Sequence, residues 1–124
     1  MQLIDSHTHI YGEEFDEDRD EMLARATEAG VGQMVLPNVD AASYPRILDL
    51  CAAHPDRLFP TIGLHPTYVK EDYTSQLDYM ERELSKRPHV AIGEIGLDYY
   101  WDTTYQREQI EAFECQLHIV KLGG

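Results

Sequence analysis

The sequence predicts an α/β fold of parallel β/α units, half of a (β/α)8 TIM barrel. Three observations predict it. Strand and helix signals alternate four times along 124 residues, an order that calls for a parallel sheet covered by helices. Residues suited to chemistry fall at the ends of the first, third and fourth strands, the pattern of the C-terminal face of a barrel. A full barrel takes about 250 residues, so four units make one half. An open doubly wound sheet is the competing closure, but no GxGxxG follows the first strand, which weakens it.

The first strand is read over Gln2 to His7, a short segment with Leu3 and Ile4 buried. Asp16 to Ala29 follows as a helix with Met22, Leu23, Ala26 and Ala29 on one side, stopped by Gly30. Val31 to Pro37, with Met34-Val35-Leu36, is the second strand. Ala41 to Ala53 is helical through Ile47, Leu48, Leu50 and Cys51, and His54-Pro55 ends it. Leu58 to Leu64 is the third strand. Ser75 to Lys86 is the third helix, with Leu77, Met80 and Leu84 at helical spacing and Ser75 with Asp78 as a capping box. Val90 to Ile95 is the fourth strand. Thr103 with Gln106 reads as the capping box of a fourth helix, which carries Ile110, Phe113, Leu117 and Val120 at spacings of three and four. No repeat, low-complexity segment or linker interrupts these units, so residues 1–124 read as a single domain.

Composition narrows the function classes. The chain is 43% hydrophobic and 27% charged, ordinary for a globular protein, with a formal net charge of -13. So acidic a surface lacks the clustered Lys and Arg of an extended nucleic-acid footprint. It leaves room for a nucleic acid held by a metal at one phosphate. Cys51 and Cys115 are the only cysteines, neither lies in a CxxC unit, and both read as reduced, partly buried thiols on helices. There is no signal-peptide pattern and no apolar run of the ~20 residues that span a bilayer. The cytoplasm is the expected location, without membrane association.

Three segments carry chemistry. In Asp5-Ser6-His7-Thr8-His9, side chains two apart on a strand share a face. His7 and His9 thus aim two imidazoles at one point, a donor set suited to zinc, manganese or iron. The second segment, Gly63-Leu64-His65-Pro66, ends strand three. The third, Gly93-Glu94-Ile95-Gly96-Leu97-Asp98-Tyr99, ends strand four. In a parallel sheet all three meet at one rim. Glu94, between glycines that leave the backbone free to turn, is placed to ligate and bridge two cations. Two ions about 3.5–4 Å apart clamp a phosphodiester and acidify a water between them. His65 is a neighbour that contacts phosphate or a metal-held water.

Together the three segments resemble the TatD family of metal-dependent deoxyribonucleases, within the amidohydrolase-like TIM barrels. The resemblance runs from the first strand to Ala112-Phe113-Glu114-Cys115-Gln116-Leu117 in the fourth helix. HxH alone is weak; HxH, GxHP and GEIGLDYY at these separations form a specific signal. The resemblance implies a hydrolase that cleaves phosphodiester bonds in DNA through metal-activated water. It implies His7, His9 and Glu94 as metal ligands, Glu94 and His65 as catalytic residues, and His65, Asp98 and Tyr99 as residues at the substrate. The cofactor it implies is zinc, magnesium or manganese, two ions per complete site. The family's remaining ligands, two histidines and an aspartate, come from strands beyond the fourth, so the chain corresponds to the N-terminal half.

Other readings stand beside this one. A non-catalytic half-barrel that self-associates would cover the two unpaired sheet edges. An amidohydrolase acting on C–N bonds would use the same barrel rim. His54, His89 and His118 read as structural, and the acidic run Glu13 to Glu21 as a solvated helix start whose carboxylates complement the macrodipole. Tyr99, Tyr100 and Trp101 form an aromatic cluster that either stacks on bases or packs on the rim.

Overall fold

Short apolar runs form four strands, β1 (Leu3–Asp5), β2 (Val31–Leu36), β3 (Leu58–Ile62) and β4 (Ala91–Ile92), in a computed structural model that describes residues 1–123. They pair in parallel in the order β1-β2-β3-β4. Leu3 lies opposite Val31, Met34 opposite Leu58, and Ile62 opposite Ile92. The helices α1 (Arg19–Glu28), α2 (Tyr44–Ala53), α3 (Tyr73–Leu84) and α4 (Gln106–Gly123) follow one strand each. Gly30, at φ +94°, stops α1, as the sequence predicts.

Two apolar clusters hold the sheet to the helices. Ile10, Leu23, Met34, Leu36, Ile47, Cys51 and Leu58 join β2 and β3 to α1 and α2. Tyr44, Ile62, Leu64, Val69, Leu77, Met80 and Ala112 join β3 to α2, α3 and α4.

Several boundaries differ from the sequence reading, each for a local reason. β1 ends at Asp5 rather than His7 and is not buried: Ile4 is 62% exposed, because an edge strand has a neighbour on one side only. β4 has two residues instead of six. Beyond Gly93 the chain turns toward the end of β2, where the Glu94 N–H donates to Asn38 O (2.8 Å). α1 starts at Arg19, since the Asp16 carboxylate is tied to Arg19 and Arg46 and not to helix amides. α2 starts at Tyr44, three residues later than expected.

Neither predicted capping box forms. Ser75 lies inside the first turn of α3, donating to Asp72 O (2.8 Å). Before α4 it is Asp102, not Thr103, that organises the turn, accepting from the Thr104 amide (2.9 Å) and hydroxyl (2.7 Å). Most of the apolar stripe of α4 is also turned away from the core, with Phe113 half-buried. Ile110, Leu117 and Val120 are 43%, 46% and 43% exposed, and the buried face is Gln109, Ala112 and Gln116. Cys51 is buried and Cys115 exposed, both as free thiols. Among the described residues no helix is long and apolar enough to cross a membrane.

Candidate metal centre

The segment after β1 is fixed at both ends. Asp5 Oδ1 accepts the His7 N–H (3.0 Å), and the Thr8 N–H still donates to Val35 O (3.1 Å), keeping the chain extended beside β2. The buried side chains of Ile10 and Tyr11 anchor its far end. Arg19 donates to the carbonyls of Ile10 and Gly12 (2.7 Å each), and Arg46 donates to that of Tyr11 (2.9 Å). His7 and His9 therefore leave the rim in the same direction although neither is in the strand proper.

At the end of β3, Gly63 is required by close approach: a Cβ there would lie 2.7 Å from the Gly93 carbonyl carbon. Gln116 Oε1 accepts the Leu64 N–H (2.7 Å), and the His65 N–H donates to Val39 O (2.9 Å). The Thr67 N–H donates to His65 Nδ1 (3.1 Å), which caps the 3-10 turn Pro66–Tyr68. An amide can only donate, so Nδ1 is the acceptor and the neutral ring carries its proton on Nε2.

Glu94 is held through its backbone. Asn38 accepts the Glu94 N–H and donates its own N–H to Gly93 O (3.2 Å), while Thr61 Oγ1 lies 2.8 Å from that same Gly93 oxygen. The carboxylate then meets three imidazoles. Oε2 lies 3.4 Å from His7 Nε2 and 3.5 Å from His9 Nε2, and those two nitrogens are 3.2 Å apart. Oε1 lies 3.3 Å from His65 Nε2. His7, His9 and His65 thus sort onto the two oxygens of one carboxylate.

These residues fit a divalent cation. One donor atom each from His7, His9 and Glu94 lies within 4.8 Å of the others. Ligand atoms at 2.0–2.1 Å from one tetrahedral ion are themselves about 3.3 Å apart, close to the spacings between these three side chains. Burial holds the His9 pKa below the ordinary imidazole value of 6.5, against the opposing pull of Glu94. His9 is accordingly neutral near pH 7, the form that ligates metals. The three histidines and Glu94 open onto a cleft of about 600 Å³ that runs past Tyr11, Asp40 and Arg46.

Asp98 and Tyr99, expected at the substrate, are not brought to this cleft. Asp98 Oδ1 accepts the Tyr100 N–H (3.0 Å), its backbone is bracketed by the Gln109 amide, and Tyr99, 37% exposed, does not line the cleft. His89 is structural as expected, stacked on Tyr44 with Nε2 2.6 Å from its hydroxyl, and His118 is exposed. Sequence reasoning missed Asn38, which ends β2 on the same rim. The signal was a polar residue at the one strand end left without a role. It also missed Tyr11, Thr61, Gln109 and Gln116, whose type and spacing gave no sign.

Relatives place these features in context. A family profile described as TatD related DNase matches residues 4–122. An uncharacterized metal-dependent hydrolase of Escherichia coli (strain K12), YjjV, is 34% identical over 122 residues, covering 97% of this chain and 47% of its own length. The 3'-5' ssDNA/RNA exonuclease TatD of Erwinia tasmaniensis is 34% identical over 116 residues, covering 93% and 44%. The crystal structure of E. coli YjjV superposes with a TM-score of 0.87 at 33% identity over 96% of this chain and 46% of that one. A TatD family hydrolase from Entamoeba histolytica shares the fold, with a TM-score of 0.74 at 22% identity. The chain spans about half the length of the curated relatives it matches. With its four parallel β/α units and its family match over nearly every residue, the chain belongs to the TatD family.

Proposed function

We propose that this chain carries the His7, His9 and Glu94 portion of a metal-dependent phosphodiester hydrolase whose substrate is DNA. The convergence of His7 Nε2, His9 Nε2 and Glu94 Oε2 within 4.8 Å at the strand ends carries the reading. In it His7, His9 and Glu94 would hold a divalent ion (zinc, magnesium or manganese), and a complete site would take two such ions. When bound, such ions act as Lewis acids on a phosphoryl oxygen and acidify a water. His65 contributes its Nε2–H, which rests on Glu94 Oε1 and turns to a phosphate oxygen when substrate enters. Arg46, on the wall of the cleft and paired with Asp16, is a second cation within the same space. Asp98 and Tyr99 have no part in this reading. A cytoplasmic setting belongs to the same proposal, supported by two cysteines left as thiols.

The test is native mass spectrometry with added zinc or manganese, followed by cleavage of a single-stranded oligodeoxynucleotide. The expected result is stoichiometric metal, lost in His9→Ala and Glu94→Gln, with any cleavage by this partial site stimulated by metal and lost in the same variants. Metal-independent cleavage, or cleavage untouched by either substitution, overturns it.

A second reading, self-association, is favoured by one observation. Ile4 on the β1 edge is exposed at one end of the sheet, and Ile110, Leu117 and Val120 on α4 are exposed beyond the other, and an unpaired edge and exposed apolar residues invite a partner. The same mass spectra test it: a dimer supports self-association and a monomer at all concentrations excludes it.

A further inference from the structure

We propose that Tyr11 is a positioning residue for the metal centre. Its hydroxyl accepts the Nδ1 proton of His9 and so presents the bare Nε2 of that imidazole to the ligand cluster. The inference rests on the reading of His9 as a metal ligand.

Hydrogen-bond bookkeeping carries it. Tyr11 Oη lies 2.7 Å from the carbonyl oxygen of Pro37 in a buried contact. A carbonyl only accepts, so the single hydroxyl proton is committed to Pro37. His9 Nδ1 lies 3.0 Å from the same hydroxyl. With its proton engaged, the hydroxyl can only accept there, and Nδ1 must carry hydrogen. The reverse arrangement turns the hydroxyl proton to Nδ1 and strips the Pro37 carbonyl of the one donor it has among the described contacts. A buried acceptor left unpaired is the costlier state.

The surroundings keep Tyr11 in that role. The residue is 5% exposed, and its backbone oxygen is held by Arg46. Burial first, and then the Asp40 charge, push its phenol pKa well above the ordinary value, so the group stays a hydroxyl. His65, on the other oxygen of Glu94, has the opposite arrangement, because the Thr67 amide donates to its Nδ1. One carboxylate therefore faces a lone pair from His9 and a proton from His65. Metal-ligating histidines commonly donate their second ring N–H to a fixed partner, and loss of that partner lowers metal affinity 10–100-fold. Here the partner is a tyrosine two residues along the chain, itself locked by the end of β2.

The test reads tautomers directly. Long-range proton–nitrogen NMR on the metal-free chain at neutral pH should show His9 protonated on Nδ1, with His65 protonated on Nε2 as an internal reference. Tyr11→Phe should release His9 into a mixture of tautomers and weaken zinc binding, measured by chelator competition, about 10–100-fold, with the circular dichroism spectrum unchanged. An Nε2-protonated His9 in the unsubstituted chain overturns the proposal, as does a Tyr11→Phe variant that keeps both the tautomer and the zinc affinity. Should that variant not fold, the spectrum of the unsubstituted chain decides alone. If the unsubstituted chain takes up no zinc, the metal reading fails, whereas the tautomer spectrum still judges the hold of Tyr11 on His9.

Discussion

Asn38 shows how one residue organises a rim. It is fully buried and uses every polar atom it has. Its amide donates to Thr61 Oγ1 and Gly93 O, and its carbonyl accepts from Glu94. In the side chain, Oδ1 accepts the Gly63 N–H (3.1 Å), while Nδ2 donates to Asp40 O (2.8 Å) and Ser43 Oγ (3.1 Å). Asn38→Ala strips the side-chain bonds and leaves the Gly63 amide unpaired inside. The expected loss is about 1–3 kcal/mol, read as a lower midpoint in urea unfolding. Gly63→Ala drives a Cβ into the Gly93 backbone and is expected to cost a similar ~1–3 kcal/mol. An unchanged urea midpoint in either variant would contradict the packing described for this rim.

Helix α4 separates two jobs that a single apolar stripe would merge. Its inner face sets two buried glutamines, which bind loops, beside Ala112 in the core. Gln116 accepts the Leu64 N–H (2.7 Å) beside His65, and seven residues earlier Gln109 brackets the backbone of Asp98. Ile110, Leu117 and Val120 look outward. Gln116→Leu should destabilise the chain by about 1–3 kcal/mol through the unpaired Leu64 amide. Leu117→Ser should stay within about 0.5 kcal/mol, as surface changes do. A large loss at Leu117 in urea unfolding would mean that the outer face is covered. Thiol chemistry gives an independent check. Burial pushes the Cys51 thiol up to about 12, and Cys115 is exposed on α4. A thiol reagent on the folded chain should modify one cysteine rapidly, and Cys115→Ser should abolish that fast phase, with Cys51 reacting only on unfolding.

At the scale of the whole molecule, two imidazoles couple stability to acid. Burial lowers the pKa of both His9 and His89 from 6.5. At His89 the geometry agrees: Nδ1 is buried without a hydrogen-bond partner among the described residues, and the Arg87 cation sits beside the ring, donating to the Tyr44 hydroxyl (3.0 Å) that lies 2.6 Å from Nε2. The unfolded chain thus takes up more protons than the folded one as pH falls below 6.5, and stability declines from there down through the folded-state values. Thermal melts should show a midpoint that drops between neutral pH and mildly acidic pH. His89→Gln should flatten part of that drop, and a midpoint that rises on acidification would contradict the assignment.

Much of this was legible in the sequence, because local rules set it. Gly30 stops α1, the order of apolar runs gives four parallel β/α units, and the spacing in His7-Thr8-His9 sends two imidazoles one way. Periodicity and turn chemistry need no knowledge of distant residues. What the tertiary structure alone decided depends on contacts between segments far apart in the chain. Glu94 departs from β4 because Asn38, 56 positions earlier by number, accepts its amide. The face that α4 buries is set by two loop backbones that lack other partners. The different settings of His9 and His65 around one carboxylate come from Pro37 and Thr67. A hydrogen-bonding group's role is fixed by which partners are left unsatisfied beside it once the chain is packed, and no spacing rule carries that information.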